Sequence, residues 1–522
     1  MDAPGSDARL IADLRADLLA AGFTVDAIGS LWGEDAAAAL HRAHRAPAIR
    51  ALDRAAVRDG IDAPAATLAR LFVLGLPVGR GALESALPRL GVAGAQGLGL
   101  VAASTETDSH VVPLVDLRPY AFTDSWGPAE WWLASDPGEL TRAGALAENH
   151  VLGVGGASLT LSGLMVERPS RLTLDLGTGC GIQAMHASRH SGRVIATDIS
   201  ERAIAFAAFN LALNEIRNVE LRRGSLFEPV DGESFDHIVS NPPFVITPRI
   251  EGVPSYEYRD GGMVGDALVA EVVRGAAMHL RPGGIAQLLG NWEYRGRSGP
   301  GSDGLDRVSG WLEQTGLDAW AVEREVQDAA LYAETWIRDG GTGSGTEFDR
   351  LSLAWLDDFE ARGVERVGFG YLLLRRPPAA AATEPGWRRL ERLDGPVSSG
   401  LGAHILSTLE AHDWQAALDD FALSRAMLTV APDVTEERHY WPGDEHPAVM
   451  NLRQGGGFAR SYPLDTATAA VVGACDGELS IAAICAALGE LLEVDEDELL
   501  AQVLPSVREF VTVGILKRPE AQ

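Results

Sequence analysis

The sequence predicts a mixed α/β core flanked by two mainly helical domains. Three features of residues 171–249 carry the α/β part. RLTLDLGTGCG is an apolar run that ends in glycines, VIATDIS ends in an acid, and FDHIVS runs into Asn-Pro-Pro-Phe. Short apolar runs punctuated in this way and separated by helix-period segments are the pattern of parallel strands covered on both faces.

Strands are expected near 172–176, 193–197, 219–222, 235–240, 284–290, 319–325 and 366–374, and helices near 181–189, 201–214, 264–280 and 303–315. Residues 326–365 are too long for a hairpin before the seventh strand. LYAETWIRD and FDRLSLAWLDDFEARG have helical spacing, so a helical insertion beside a substrate entrance is predicted, joined by GGTGSGT.

The expected domains are 1–125, 126–378 and 386–522. In the first, Leu10, Ile11, Leu14, Leu18 and Leu19 recur at helical spacing. A helix, a break at Pro77 and a helix from about Arg80 follow, then LGLVAAS and HVVPLVDLRPY as a paired wing. Arg80 and Arg89 stand almost alone on the second helix, which favours dimerisation or a lid over nucleic-acid reading. Residues 126–170 read as an irregular connection, with HVLGVGGAS also fitting a loop over a ligand. PPAAAATEPGW, after Arg375, reads as a linker. The chain's last sixty or so residues read as three helices and a strand, a pattern that resembles winged-helix modules, including those that hold precursor peptides for modifying enzymes. The acid run at 493–498 reads as a helix start.

Composition narrows the class. With 46% hydrophobic residues among 522, the chain should be globular. Its 44 Lys+Arg against 73 Asp+Glu give −29, which opposes non-specific attraction to phosphate backbones, although a local basic groove would still hold RNA. The three cysteines, Cys180, Cys475 and Cys485, lack CxxC pairing, so no disulfide framework or zinc site is expected. No apolar run spans a bilayer and MDAPGSDARL has no signal core, so a cytoplasmic location and no membrane partner are expected.

The residues with chemistry sit at strand ends. Asp175, Gly177, Thr178, Gly179 and Gly181 form a turn in which glycine lets backbone approach a ligand, as it also does in phosphate loops and plain tight turns. Asp198 can accept both hydroxyls of a ribose; it also precedes a helix that it could cap. In Asn241-Pro242-Pro243-Phe244, the Asn241 side-chain oxygen and the Pro242 carbonyl are acceptors on a stiffened loop, and Phe244 offers a stacking face.

Glycine loop, acid and Asn-Pro-Pro-Phe, in that order, resemble the S-adenosylmethionine-dependent methyltransferases of Rossmann-like fold, in the branch that methylates a planar nitrogen. The resemblance covers about 150–378. YEYRDGGMVGDALV resembles the stretch that follows this motif in release-factor glutamine methyltransferases and in ribosomal RNA guanine methyltransferases. It implies a seven-stranded methyltransferase core with its last strand antiparallel and S-adenosylmethionine as cofactor, between flanking domains whose own pattern reads as winged-helix-like. The cofactor would be held by the glycine loop, Asp175 near the methionine ammonium, Asp198 and Ile199 at the ribose, and Ser225 and Leu226 at the adenine. Ser225 departs from the family, which usually has an acid there. Asn241, Pro242 and Phe244 would be catalytic, with Asn241 also beside the cofactor. The acceptor is a planar NH2: a protein glutamine first, with an exocyclic amine of structured RNA or of DNA as the alternative. A small-molecule acceptor, or a cofactor-binding protein without catalysis, stands behind these.

Three features read as structural. His186 and His190 have metal-compatible spacing but lack a third ligand nearby and read as surface residues. Asn291-Trp292 suits a pocket wall or the core equally. HYWPGDEHP (439–447) reads as a loop packed on the third domain.

Overall fold

Apolar runs between residues 170 and 392 build one eight-stranded sheet. Its strands are β1 (Ser170–Leu176), β2 (Ser191–Asp198), β3 (Val219–Arg223), β4 (Phe235–Ser240), β5 (Leu280–Arg295), β6 (Asp318–Asp328), β7 (Val364–Arg375) and β8 (Arg388–Arg392). They stand in the order β8-β6-β7-β5-β4-β1-β2-β3. The first five are parallel, β7 lies antiparallel between β5 and β6, and β8 runs parallel to β6. The seven expected strands are present, with β8 an eighth. It is seated by Ala319 N–H on the Trp387 carbonyl (2.8 Å) and Trp387 N–H on Asp318 (2.9 Å). This computed structural model describes residues 3–59, 63–105, 107–138, 146–296, 302–378, 386–395, 397 and 400–519. Most of the expected linker PPAAAATEPGW lies outside the described residues.

Helices Ile182–Ser188 and Glu201–Leu213 send Met185, Phe206 and Phe209 into one apolar cluster. Ala267–His279 and Gly304–Leu312 pack Val269, Val273, Val308 and Leu312 with Leu174, Leu176 and Ile238 in another. Strands buried this way on both faces are apolar throughout. The predicted insertion is a helix pair, Ala329–Asp339 and Thr346–Arg362, whose Tyr332, Trp355 and Phe359 share a cluster with Val245 and Ile246.

The N-terminal part contains helices Ala8–Ala20, Val25–Leu40, Ala46–Asp59 and Pro64–Leu68, and the wing pairs Val101–Ala103 with His110–Pro113. Residues 126–170 are not wholly irregular. Gly127–Ser135 is a strand paired with Asp116–Asp124 through a tight turn at Ser125 and Trp126, with Gly127 at φ 100°. Its aromatic half is buried because helix Glu201–Leu213 covers it. Asn214 takes the Trp132 N–H (2.9 Å) and gives its own N–H to the Trp132 carbonyl (2.7 Å). Asn210 does the same for Ala134 at 2.7 and 2.9 Å. Two amide side chains thus continue the hydrogen bonding of a strand edge onto a helix.

The hairpin also corrects the placement of the histidines. His190 is buried, and His186 is packed under Phe122 and Trp131 with its Nε2 3.0 Å from the Tyr120 hydroxyl. Burial, with Arg189 and His190 adding to it against Asp124, lowers the His186 pKa to about 4.

Residues 393–519, with 163–167, form a separate unit. Helices Thr466–Gly473, Ile481–Leu492 and Glu496–Thr512 pack Val471, Ile484, Val503 and Val507 against a sheet of Asp476–Ser480, Met427–Val430 and Leu516–Lys517. Asp495 caps the last helix, with Glu496, Asp497 and Glu498 in its first turn. HYWPGDEHP is not packed on this unit. It is the exposed tip between strands Val434–His439 and Val449–Gln454, with Trp441 at 69% exposure, because its residues extend the hairpin beyond the paired strands. Among the described residues no helix is long and apolar enough to cross a membrane.

A histidine whose folded pKa is depressed binds its proton only on unfolding, so its stability contribution is present above pH 6.5 and is lost as pH falls through about 4. In His186→Gln the fall in Tm between these pH values should be shallower than in the parent. Parallel Tm curves would refute the buried neutral state.

Candidate active site

The strand order reverses between β1 and β4, and ligands in such sheets bind at the carboxyl ends flanking that point. The loop leaving β1 is fastened to β2 at once, because the Thr197 carbonyl accepts the N–H groups of both Gly177 and Thr178 at 2.9 Å. Gly177, Gly179 and Gly181 have φ of 77°, 55° and 94°, the left-handed region that only glycine enters freely. A Cβ on Gly177 or Gly179 would meet no other atom within 4 Å, whereas one on Gly181 would lie 3.2 Å from the Ala207 Cβ. The first two glycines therefore keep space open, and the third lets two helices approach.

Asp198 ends β2. One carboxylate oxygen accepts the Gly179 N–H and the other the Ser200 N–H, both at 2.9 Å. Each oxygen keeps a lone pair for a further donor. Burial, with the charge of Glu257, raises its pKa. Asp175 is more deeply placed. It accepts from the Thr178 hydroxyl (2.6 Å) and the Ala184 N–H (2.9 Å), and burial pushes its pKa up to about 7.

A cavity of about 700 Å³ opens above these strand ends, within the range of roughly 300–1,000 Å³ usual for small-molecule sites. Of the residues singled out in the sequence, Gly177, Thr178, Gly179, Asp198, Ile199, Ser225, Leu226, Asn241 and Pro242 line it. Asp175 and Gly181 do not; they brace the loop from behind. Leu226 holds φ 47°, strained for a leucine, at the point where the chain passes the cavity. Phe244 is also outside the lining. Its ring packs on Phe369 at 5.6 Å, and its backbone bridges to Asp260. Trp292 is in the core, its N–H given to Glu323 (2.6 Å), and Asn291 beside it is buried and bonded to Tyr332.

Asn241 has the most informative atom: its side-chain oxygen is buried and has no hydrogen-bond partner, on a residue of the cavity wall. A buried acceptor left unpaired costs about 1–3 kcal/mol, which a ligand N–H would recover. Pro242 and Pro243 continue the same wall.

Other lining residues come from stretches that the sequence marks only as segments, a glycine-rich loop that fits over a ligand, YEYRDGG and the insertion, without singling out individual side chains. Residues of 150–158 form one side, the place of the loop over a ligand that their glycines also fit, and Gln183 holds them by its side-chain N–H to the Ser158 carbonyl (2.8 Å). Glu257, Tyr258, Asp260, Trp336 and Asp339 form the other, the last two arriving from the insertion. Tyr258 O–H and Arg259 N–H both reach Asp339, at 2.9 and 2.8 Å. Among the described residues the lining contains Asp198, Glu257, Asp260 and Asp339 and no lysine or arginine.

Residues 151–298 match the family model described as methyltransferase small domain, while 20–112 and 408–518 each match a domain of unknown function. The core is 34% identical over 153 residues to the ribosomal protein uL3 glutamine methyltransferase of Bradyrhizobium diazoefficiens, a match covering 27% of this chain and 46% of that one. It is 37% identical over 134 residues to the release factor glutamine methyltransferase of Xylella fastidiosa (24% and 48%). The chain spans about half the length of these curated relatives. A crystal structure of a methyltransferase from Pyrococcus furiosus is 17% identical, covering 42% of this chain and 80% of that one, with a TM-score of 0.26.

Gly181→Ala should cost about 2–3 kcal/mol in urea denaturation, combining left-handed strain with the Ala207 contact, and Gly179→Ala about 1 kcal/mol from strain alone. Equal losses would mean that the approach of the two helices is not tight.

Proposed function

We propose that this chain, which carries a methyltransferase small domain over residues 151–298, is an S-adenosylmethionine-dependent N-methyltransferase acting on the side-chain amide of a protein glutamine. The unpartnered Asn241 oxygen carries the reading. It is an acceptor held ready, at the end of the strand beside β1, for the N–H of a planar NH2 group.

The residues present fit the cofactor. Asp198 has lone pairs to spare for vicinal hydroxyls, and Gly177 and Gly179 leave open space where side chains would stand. Ile199, exposed at 59%, and Leu226 supply apolar surface on the same wall, with Ser225 beside them. When bound, S-adenosylmethionine supplies a methyl group on a sulfonium sulfur and leaves as the neutral thioether.

An amide nitrogen is a poor nucleophile because its lone pair is delocalised into the carbonyl. Asn241 Oδ1 and the Pro242 carbonyl would each accept one of its hydrogens and turn the lone pair towards the methyl carbon. With the cofactor bound, the N–C bond would form as the S–C bond breaks, and the nitrogen would give up one proton to solvent. Positioning for in-line displacement supplies most of the acceleration. A wall with Glu257 and Asp339 and without lysine or arginine among the described residues supports a protein acceptor over a phosphate-bearing one, as does the charge of −29. The names of the uL3 and release factor relatives support glutamine.

Labelled S-adenosylmethionine should transfer its methyl group to lysate of a strain lacking this protein, and the label should survive RNase but not protease. The opposite pattern would replace glutamine by an RNA amine. Asn241→Ala should lower the rate at least about 100-fold with cofactor affinity unchanged. Asp198→Ala should weaken cofactor binding about 10- to 100-fold by calorimetry, and unaltered affinity would remove the ribose contact.

A further inference from the structure

Residues 241–247 have no regular secondary structure. Beyond the isolated bridge of Phe244 to Asp260, their backbone bonds are few: Val245 N–H goes to the Arg259 carbonyl (3.0 Å) and Thr247 N–H to the Val245 carbonyl (3.1 Å). A segment so poor in internal bonds holds an atom to a fraction of an ångström only if side chains from elsewhere fix it. The first of those side chains comes from the insertion between β6 and β7. Tyr332, buried on helix Ala329–Asp339, accepts the Ile246 N–H (3.0 Å) and the Asn291 side-chain N–H (2.6 Å) on one hydroxyl. It thereby ties the loop to β5.

A second strap runs through Arg259. Its carbonyl takes the Val245 N–H, and its guanidinium, over the Tyr256 ring at 4.5 Å, is held by the Trp336 carbonyl (2.7 Å) and Asp339 (2.8 Å). Asp260 adds a third, taking the Thr247 hydroxyl and the Tyr256 N–H (2.6 Å). Between these anchors and Asn241 lie Pro242 and Pro243, whose rings fix φ, so the anchored end aims the other as a short stiff rod does.

We infer that the insertion is the support of the transfer loop, with Tyr332 the positioning residue that aims Asn241. The inference rests on the proposed methyl transfer but has its own readout. Tyr332→Phe removes one oxygen and keeps the ring in its cluster with Trp355 and Phe359.

In the full-length protein, hydrogen exchange of a peptide covering 241–247 should quicken about 10-fold or more in Tyr332→Phe, with 172–184 unchanged. In the labelled-lysate assay at saturating cofactor, its maximal rate should fall about 10- to 100-fold while the half-saturating amount of lysate and the affinity for S-adenosylhomocysteine stay put. Added to Asn241→Ala, the substitution should change the rate no further, because it acts through that residue. Asp339→Asn, which loosens the Arg259 strap, should give a smaller effect of the same kind. Unchanged exchange at 241–247, or a full rate in Tyr332→Phe while Asn241→Ala is inactive, would overturn this inference alone. Full transfer by Asn241→Ala would overturn the proposed function instead. Where no lysate accepts label, the exchange result decides.

Discussion

The carbonyl of Thr197 is the point on which the site depends. It sits at the end of β2 and takes two N–H groups from the loop leaving β1, so that loop turns across the sheet instead of running on past it. Once that turn is made, Asp198 is in reach of Gly179, the helix from Ile182 starts beneath the glycines, and the space above the strand ends stays free. Asn241 then faces the same space because β4 lies on the other side of β1. Three strands that end level with one another bring together residues far apart in the chain.

The rest of this unit holds that geometry from outside. On the β2 side, Asn210 also donates to the Cys180 carbonyl (2.8 Å), so the helix that grips the N-terminal hairpin also grips the glycine loop. Asp136, which follows the hairpin, pairs with Arg202 and takes the Val151 N–H (2.9 Å), starting the wall formed by residues 150–158. Although burial alone would raise its pKa, the Arg202 guanidinium holds the Asp136 carboxyl below the usual range. On the β4 side the insertion plays the corresponding part. The cavity therefore has a sheet for its floor and two additions to the core for its sides.

The sequence was informative where one residue type answers one local demand. Gly177, Gly179 and Gly181 were legible because left-handed backbone excludes side chains, and Asn241 because two prolines after a strand leave it at a fixed end. It was uninformative where long-range packing decides. LYAETWIRD is readable as part of an insertion beside a substrate entrance, but nothing in the sequence singles out Asp339 or Trp336 within it; the path of the insertion brings them to the cavity. Trp292 suits wall or core equally until Glu323, two strands away across β7, satisfies its N–H. The run at 126–135 lacked an outward partner in the sequence and was legible as a strand only once Asn210 and Asn214 supplied one. Phe244 was readable as an aromatic face, but its partner, Phe369, lies on a strand remote in sequence.

The position of β7 has a bearing on how the chain is made. It is the seventh strand in sequence but stands between the fifth and the sixth, hydrogen-bonded to both along most of its length. While residues 318–328 emerge from the ribosome, the edge they must reach is still one strand away, because the strand that separates them from β5 has not been synthesised. β8, which pairs with β6, must wait as well. For the interval needed to add the insertion and β7, the nascent domain exposes the apolar side of β5 and an unpaired β6. Exposed edges of this kind invite misassociation, and a chaperone or slow translation would have its greatest effect in that window.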